Sequence, residues 1–137
     1  MANYLTVKAG IVARLNALGY SESSDITDFK NASANEYGNR YILKCLSGEN
    51  QEETIIDRFY DKQEWQIQIA FARSEQNEVL QYDVMQIAKD AIIKDIDKPA
   101  NWAGVAQVLK YNKWAVIETA NYYILNIVLS VLDLYIY

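Results

Sequence analysis

An α+β fold, with an antiparallel or mixed β-sheet of four to five strands and two main helices packed on one face, is predicted by three features of the sequence. The first is the run Tyr122 to Tyr137. As a strand it puts Tyr123, Leu125, Ile127, Leu129 and Val131 on one face and Tyr122, Ile124, Val128, Leu132, Leu134 and Ile136 on the other, with Asn126, Ser130 and Asp133 as polar interruptions. The second is the alternation of Trp65, Ile67, Ile69 and Phe71 with Gln66, Gln68, Ala70 and Ala72, the period of a strand with one core face. The third is a pair of helical stripes, one closed by Gly19 and one by Pro99. A strand that is apolar on both sides needs cover on both sides. Helices of the same chain can cover one face, so the second face of the closing strand is expected to meet another sheet or another subunit.

Each element follows in order. From Thr6 to Leu18 the apolar positions Leu5, Val7, Ile11, Val12, Leu15 and Leu18 recur mostly at steps of three and four, which writes one face of a helix that Gly19 stops. Tyr20 to Asn39 is polar and reads as loop, with a short strand candidate at Ile26 to Phe29. Asn39 to Ser47 is a strand, with Tyr41, Leu43 and Cys45 on one face and Ile42, Lys44 and Leu46 on the other. Gly48 to Glu53 is an acidic, turn-forming break, after which Thr54 to Tyr60 brings back β-formers ahead of the strand at Trp65. Ser74 precedes a long helix over Glu75 to Ile96, with Leu80, Val84, Ile87, Ala88, Ala91 and Ile92 on its apolar stripe and Glu78, Gln81, Lys89 and Lys94 off it. Pro99 ends that helix. Trp102 to Leu109 suits a short helix or a strand equally. Trp114 to Glu118 is a short strand, and Thr119 to Asn121 forms the corner before the long closing strand.

Composition narrows the function classes. At 137 residues with 51% hydrophobic content, one domain over residues 1–137 can bury a full core. A net charge of −5 and a pI near 4.7 exclude a free-standing nucleic-acid binder, which neutralises phosphates with clustered Lys and Arg. With no His in the chain, imidazole base catalysis, Ser-His or Cys-His nucleophiles and His-ligated metals are excluded. Cys45 is alone, so no internal disulfide or Cys-based metal site can form, and at a strand position it reads as a small buried hydrophobe. No cofactor is implied, since the Gly residues are isolated and build no phosphate loop. Met1 to Gly10 has no signal-peptide core, and the apolar run near the C-terminus is too short for a membrane helix, so a soluble, cytoplasmic protein is expected.

The remaining chemistry rests on carboxylates. Asp57, Asp61 and Glu64 stand before a strand, a loose match to the way Mg²⁺-dependent nucleases array acids, but Lys62 precedes Glu64 where such a strand wants the Lys two residues after. A solvated hairpin edge is the plainer reading. Glu49, Glu52, Glu53 and Asp57 form an acidic loop: either a solvated connection, or negative charge on a surface past which DNA slides without sticking.

Three stretches together resemble the tail terminator proteins of long-tailed bacteriophages: the opening helix ending in ARLNALGY, the alternating strand EWQIQIAFARSEQ leading into a long helix, and the closing WAVIETANYYILNIVLSVLDLYIY. The resemblance implies a structural virion protein, not an enzyme. Such a protein assembles as a hexameric ring on the end of the finished tail tube, stops tube polymerisation and presents a docking face for the head connector, with DNA passing through its lumen unbound. Eleven Tyr and three Trp suit such an assembly, and Trp65, Trp102, Trp114, Tyr123 and Tyr135 are the candidate core or interface anchors. The implied place is the tail or neck of the virion, after assembly in the host cytoplasm. Alternatives are another head-to-tail connector or tail-completion subunit, a carboxylate and Mg²⁺ enzyme, and a monomeric ligand-binding module.

Overall fold

The closing strand is the second strand in from one edge of a mixed five-stranded sheet, in the order β1-β2-β3-β5-β4. The computed structural model describes residues 4–23, 29, 38–50, 58–73, 78–106 and 108–136. Along the chain these form α1 (Tyr4–Ala17), β1 (Ser21–Glu22), β2 (Arg40–Asn50), β3 (Arg58–Ala72), α2 (Glu78–Ile96), a 3-10 helix (Pro99–Trp102), β4 (Val108–Glu118) and β5 (Tyr122–Ile136). β1 pairs parallel with β2, and every other pairing is antiparallel. The architecture is α+β.

α1 buries Val7, Ile11 and Leu15, three residues at four-residue steps. It ends because Gly19 takes φ 99°, which lets its own N–H reach Asn16 O (3.1 Å) and that of Tyr20 reach Leu15 O (3.1 Å). The core lies between the helices and one face of the sheet, where Tyr41, Trp65, Ile67, Ile69 and Leu125 are fully buried among the side chains of Met85, Ile92 and Ile96 from α2. Burial of this apolar set is the main favourable term in folding.

Both faces of β5 are largely covered within the chain, which corrects the expectation that its second face needs another sheet or subunit. Tyr122 and Ile124 pack with Ile42, Ala70 and the buried Phe29, and Asn126 and Val128 are buried beyond them. Lying between β3 and β4, the strand is also screened by its neighbours' side chains; Gln66 donates to Asn126 Oδ1 at 3.5 Å. Only towards its end, at Ser130, Leu132 and Leu134, is that face half-buried.

The strands are longer than sequence pattern suggests. β2 continues through Gly48, Glu49 and Asn50 where a turn is expected, and β3 runs unbroken through Asp61 and Glu64. Gly48 permits this: a Cβ there would stand 2.8 Å from Asp61 Oδ2 on the paired strand. β4 likewise begins at Val108, because its polar residues Lys110, Asn112 and Lys113 sit exposed at a sheet edge. The ambiguous stretch after Trp102 is a turn with Gly104 at φ 78° followed by that strand. At Ile26 to Phe29, Phe29 is buried in a 3-10 turn and not a strand, while the other three residues lie outside the described ones; the short strand is Ser21–Glu22 instead.

α2 is turned away from the expected stripe. Of that stripe Ile92 is buried and Ala88 packs against the core, but Leu80, Val84 and Ile87 are 62%, 54% and 69% exposed and Ala91 is exposed too, and Met85 and Ile96 complete the core side with Tyr82 half-buried. Three contacts fix this rotation: Tyr82 meets the edge of the Tyr123 ring (5.4 Å between centroids), Lys89 Nζ sits 4.1 Å over Trp114, and Asp95 pairs with Arg14 of α1. No described helix is long and apolar enough to cross a membrane.

Gly10 marks the closest approach of α1 to the turn after the 3-10 helix, since an added Cβ would lie 2.6 Å from Val105 Cγ1. Gly10→Ala gains about 1 kcal/mol of helix propensity but forces an overpacking that costs about 1–3 kcal/mol. The variant is expected to be less stable in urea unfolding, and Val105→Ala added to it should recover part of the loss; a more stable single variant would mean that the contact is loose.

Candidate functional site

Two surfaces and one buried cluster carry the features that packing alone leaves over. The first surface is the outer side of α2. Leu80, Val84 and Ile87 fall at helical spacing with Ala91 one turn beyond, and all four are exposed, while Val79, 78% exposed, lies round the helix beside Tyr82. Three large aliphatic side chains on one solvent-facing helix side form a patch of the kind that marks an interaction surface. A cleft of about 330 Å³ lined by Val79, Tyr82, Glu118 and Tyr123 runs from the start of this helix to the end of β4.

The second surface is the outer flank of β4. Trp114 is 39% exposed under the ammonium of Lys89 on the helix-facing side of β4, and Val108 and Ile117 are exposed on the opposite face of the strand. Of the five candidate anchors, Trp114 is the one on this surface. Trp65, Trp102 and Tyr123 are in the core. There Trp65 stacks on Tyr4 (5.3 Å) and Trp102 donates its Nε1–H to Ile96 O. Tyr135 is half-buried and stacked on Phe59 at 5.0 Å.

The acidic loop is only partly described. Glu49 is exposed on β2, and Glu52, Glu53 and Asp57 lie outside the described residues. The proposed carboxylate array does not form on Asp61 and Glu64: they are three residues apart in one strand, so Asp61 faces the core side opposite Asp133 while Glu64 faces the open side opposite Ser130. Among the described residues no group of three or more His, Cys, Asp or Glu is positioned to hold a metal ion. Burial pushes the Cys45 thiol up, with Asp61 adding to the effect, which disfavours the reactive thiolate.

The buried cluster was invisible in the sequence. In the β3·β5 register Asp61 stands directly opposite Asp133. Gln63 orders one side of it, donating from Nε2 to Asp61 Oδ2 (3.0 Å) and to Tyr135 Oη (3.1 Å) while its Oε1 accepts from Trp65 Nε1 (2.8 Å). Asp133 is fully buried, and neither of its carboxylate oxygens has a well-formed hydrogen bond among the described residues, the Leu134 backbone N–H offering only partial compensation. Burial raises its pKa, and the nearby Asp61 charge raises it further. The interruption of an apolar run by Asp133 was the one available signal, but its partner is set by a strand register that sequence does not print.

No protein-family model matches this chain, and no curated protein matches it.

The sign of the Asp133 effect is fixed by its raised pKa. Between the ordinary carboxylate value and the raised one the folded chain holds more protons than the unfolded chain, so stability falls as pH rises through that window. Asp133→Asn, which keeps the shape without the charge, is expected to be more stable than the parent at pH 7. The gap should close once the solution is acidic enough to protonate the parent's carboxyl. Melting temperatures at both ends of the range check this; an equal gap at every pH would mean that Asp133 does not titrate in the folded chain.

Proposed function

We propose that this protein is a structural virion component that forms a ring on the end of a phage tail tube, ends tube polymerisation and offers a docking surface to the head connector. The observation that carries this reading is the uncovered aliphatic side of α2, with Leu80, Val84 and Ile87 all more than half exposed on a helix whose opposite side packs on the core through Met85, Ile92 and Ile96. A subunit that meets neighbours gains from such a surface, since each interface removes apolar area from water at roughly 25 cal/mol per Å².

Three further features agree with it. The chain pattern resembles the tail terminators in its opening helix, its alternating strand and its closing segment. Of the acids Asp57, Asp61 and Glu64 behind the competing Mg²⁺ enzyme reading, Asp61 and Glu64 point to opposite faces of the sheet. The net charge of −5 suits a ring through which DNA passes without being held. In this reading the partners are further copies of the chain, closing into a hexamer, then the tube protein below and the connector above. The protein carries no catalytic residues or cofactor, is assembled in the host cytoplasm and ends in the tail or neck of the virion. Closed cyclic assembly uses one surface against a different one on the next copy, which leaves no free end.

Val84→Asp combined with Ile87→Asp puts two charges on the exposed stripe, where surface substitutions change monomer stability by about 0.5 kcal/mol or less. Ring formation or capture on purified tail tubes, scored by electron microscopy, should be lost while the melting temperature holds. Rings and tube capture unchanged from the parent would sink the assignment of α2 to assembly, and a parent chain that neither forms rings nor binds tubes would sink the function.

A further inference from the structure

Asp61 and Asp133 face each other across the β3·β5 ladder on the core side of the sheet, a placement that holds two Cβ atoms about 4.5–5.5 Å apart. Like charges so placed repel, and a carboxylate removed from water needs a cation or a proton. Among the described residues neither acid forms an ion pair with a lysine or arginine, and Lys62, next to Asp61 in β3, points to the open side opposite Leu132. The chain's amino group is the weakest of the influences on Asp133.

What lines this place is oxygen. Asp133 is fully buried and presents both carboxylate oxygens without a well-formed hydrogen bond. Gln63 Nε2 engages Asp61 at Oδ2 (3.0 Å) and leaves Oδ1 without a partner among the described residues. The same nitrogen donates to Tyr135 Oη at 3.1 Å and so holds the phenol oxygen beside the acids, whose charges both act on it. Gly48, paired with Gln63 on β2, leaves the room: a Cβ there would stand 2.8 Å from Asp61 Oδ2 and 3.2 Å from Oδ1. Asp61 and Tyr135 are half-buried, which gives the cluster a way in from solvent.

We propose that this cluster binds a hard divalent cation, with Asp133 and Asp61 as carboxylate ligands and the Tyr135 phenol oxygen and water completing an all-oxygen set. The orphaned oxygens of Asp133 carry the assignment. A single proton neutralises one of the two acids, whereas one divalent cation balances both charges and meets both oxygens of Asp133.

The donor set also fixes the class of metal. Oxygen ligands suit Ca²⁺ and Mg²⁺, while softer metals want imidazole or thiolate. The chain has no His, and the nearby Cys45 is kept as its thiol by burial and by Asp61. Ca²⁺ accepts six to eight oxygens in flexible geometry and fits side chains from two strands better than Mg²⁺, which demands a near-ideal octahedron. Only two acids contribute, short of the three that no place among the described residues brings together, so water supplies the rest and affinity falls at about 0.1–1 mM. The site stands on the strand register and does not depend on the ring reading.

The test uses the full chain freed of metal with a chelator. Millimolar Ca²⁺ at pH 7 should raise its melting temperature by about 5 °C, Mg²⁺ should raise it less, and Na⁺ at matched ionic strength should leave it unchanged. Asp133→Asn and Asp61→Asn should each abolish the shift, while Glu64→Gln, on the open side of the same strand, should keep it. Because Asp133→Asn is the more stable chain without cation, its lead over the parent should shrink or invert once Ca²⁺ is added. Calorimetric titration of the parent with Ca²⁺ should show one site, which Asp133→Asn loses and Gly48→Ala weakens. A parent indifferent to Ca²⁺, a shift that survives Asp133→Asn, or an equal response to Na⁺ would each overturn the site; indifference to Ca²⁺ together with stabilisation by acid alone would assign the pair to a shared proton instead.

Discussion

The pairing of β3 with β5 holds the rest of the molecule in place. Two strands of 15 residues each run antiparallel in an unbroken register from Arg58 opposite Ile136 to Ala72 opposite Tyr122. Because side chains alternate, that single register decides which residues face the helices and which face away along the whole centre of the sheet. It puts Trp65, Ile67 and Ile69 beside Leu129, Ile127 and Leu125 under α1 and α2, and it sets Gln66 and Gln68 beside Val128 and Asn126 on the other side. A slip of one residue would exchange the two sets, exposing the tryptophan and burying the glutamines. The same register forces Asp61 against Asp133, so an electrostatic conflict in the core comes with the pairing that builds it.

Where local pattern and global packing agree, the sequence was legible. Val7, Ile11 and Leu15 are buried at the spacing that predicts them, Gly19 ends the helix with a positive φ, and the alternation from Trp65 to Phe71 survives as the inner face of β3. α2 was not legible in the same way, because it is apolar on two sides. Leu80, Val84 and Ile87 extend the expected stripe outward into solvent, while its members Ala88 and Ile92 join Tyr82, Met85 and Ile96 on the side that fits the sheet. Contacts with Tyr123, Trp114 and Arg14, all distant in sequence, settle the rotation. Strand lengths failed for a related reason: Asp61, Lys62 and Glu64 look like a turn one at a time, yet each has a cross-strand partner or an open face once β2 and β5 flank β3.

The candidate site divides along the same line. Aromatic content pointed to Trp65, Trp102, Trp114, Tyr123 and Tyr135 as a group, but burial separates them, and no one-dimensional signal distinguishes Trp114 on an edge from Trp65 beneath α1. Trp65 is fixed by the register and by the Gln63 carbonyl oxygen it donates to, whereas Trp114 is held from outside by a lysine on the helix. The Lys89 side chain, read from sequence as solvent-facing, is nearly buried because its alkyl stem lies along apolar surface while its ammonium caps the ring.

The surplus of apolar surface that the sequence announces is real, but it sits elsewhere than the sequence suggests. β5 hides most of both its faces inside the chain, since strands on either side and the cluster around Phe29 enclose it. The uncovered area has moved outward, to α2 and to the flank of β4. That displacement matters for assembly. A core strand that needed a partner on its second face would tie folding to association, as in obligate oligomers whose monomers do not persist. A helix side and a sheet edge left over from an otherwise closed core permit the opposite order, in which the subunit folds first and associates afterwards through surfaces already formed. For a component proposed to join only a completed tube, that order has a physical use: association can wait for the target, because nothing inside the subunit depends on it.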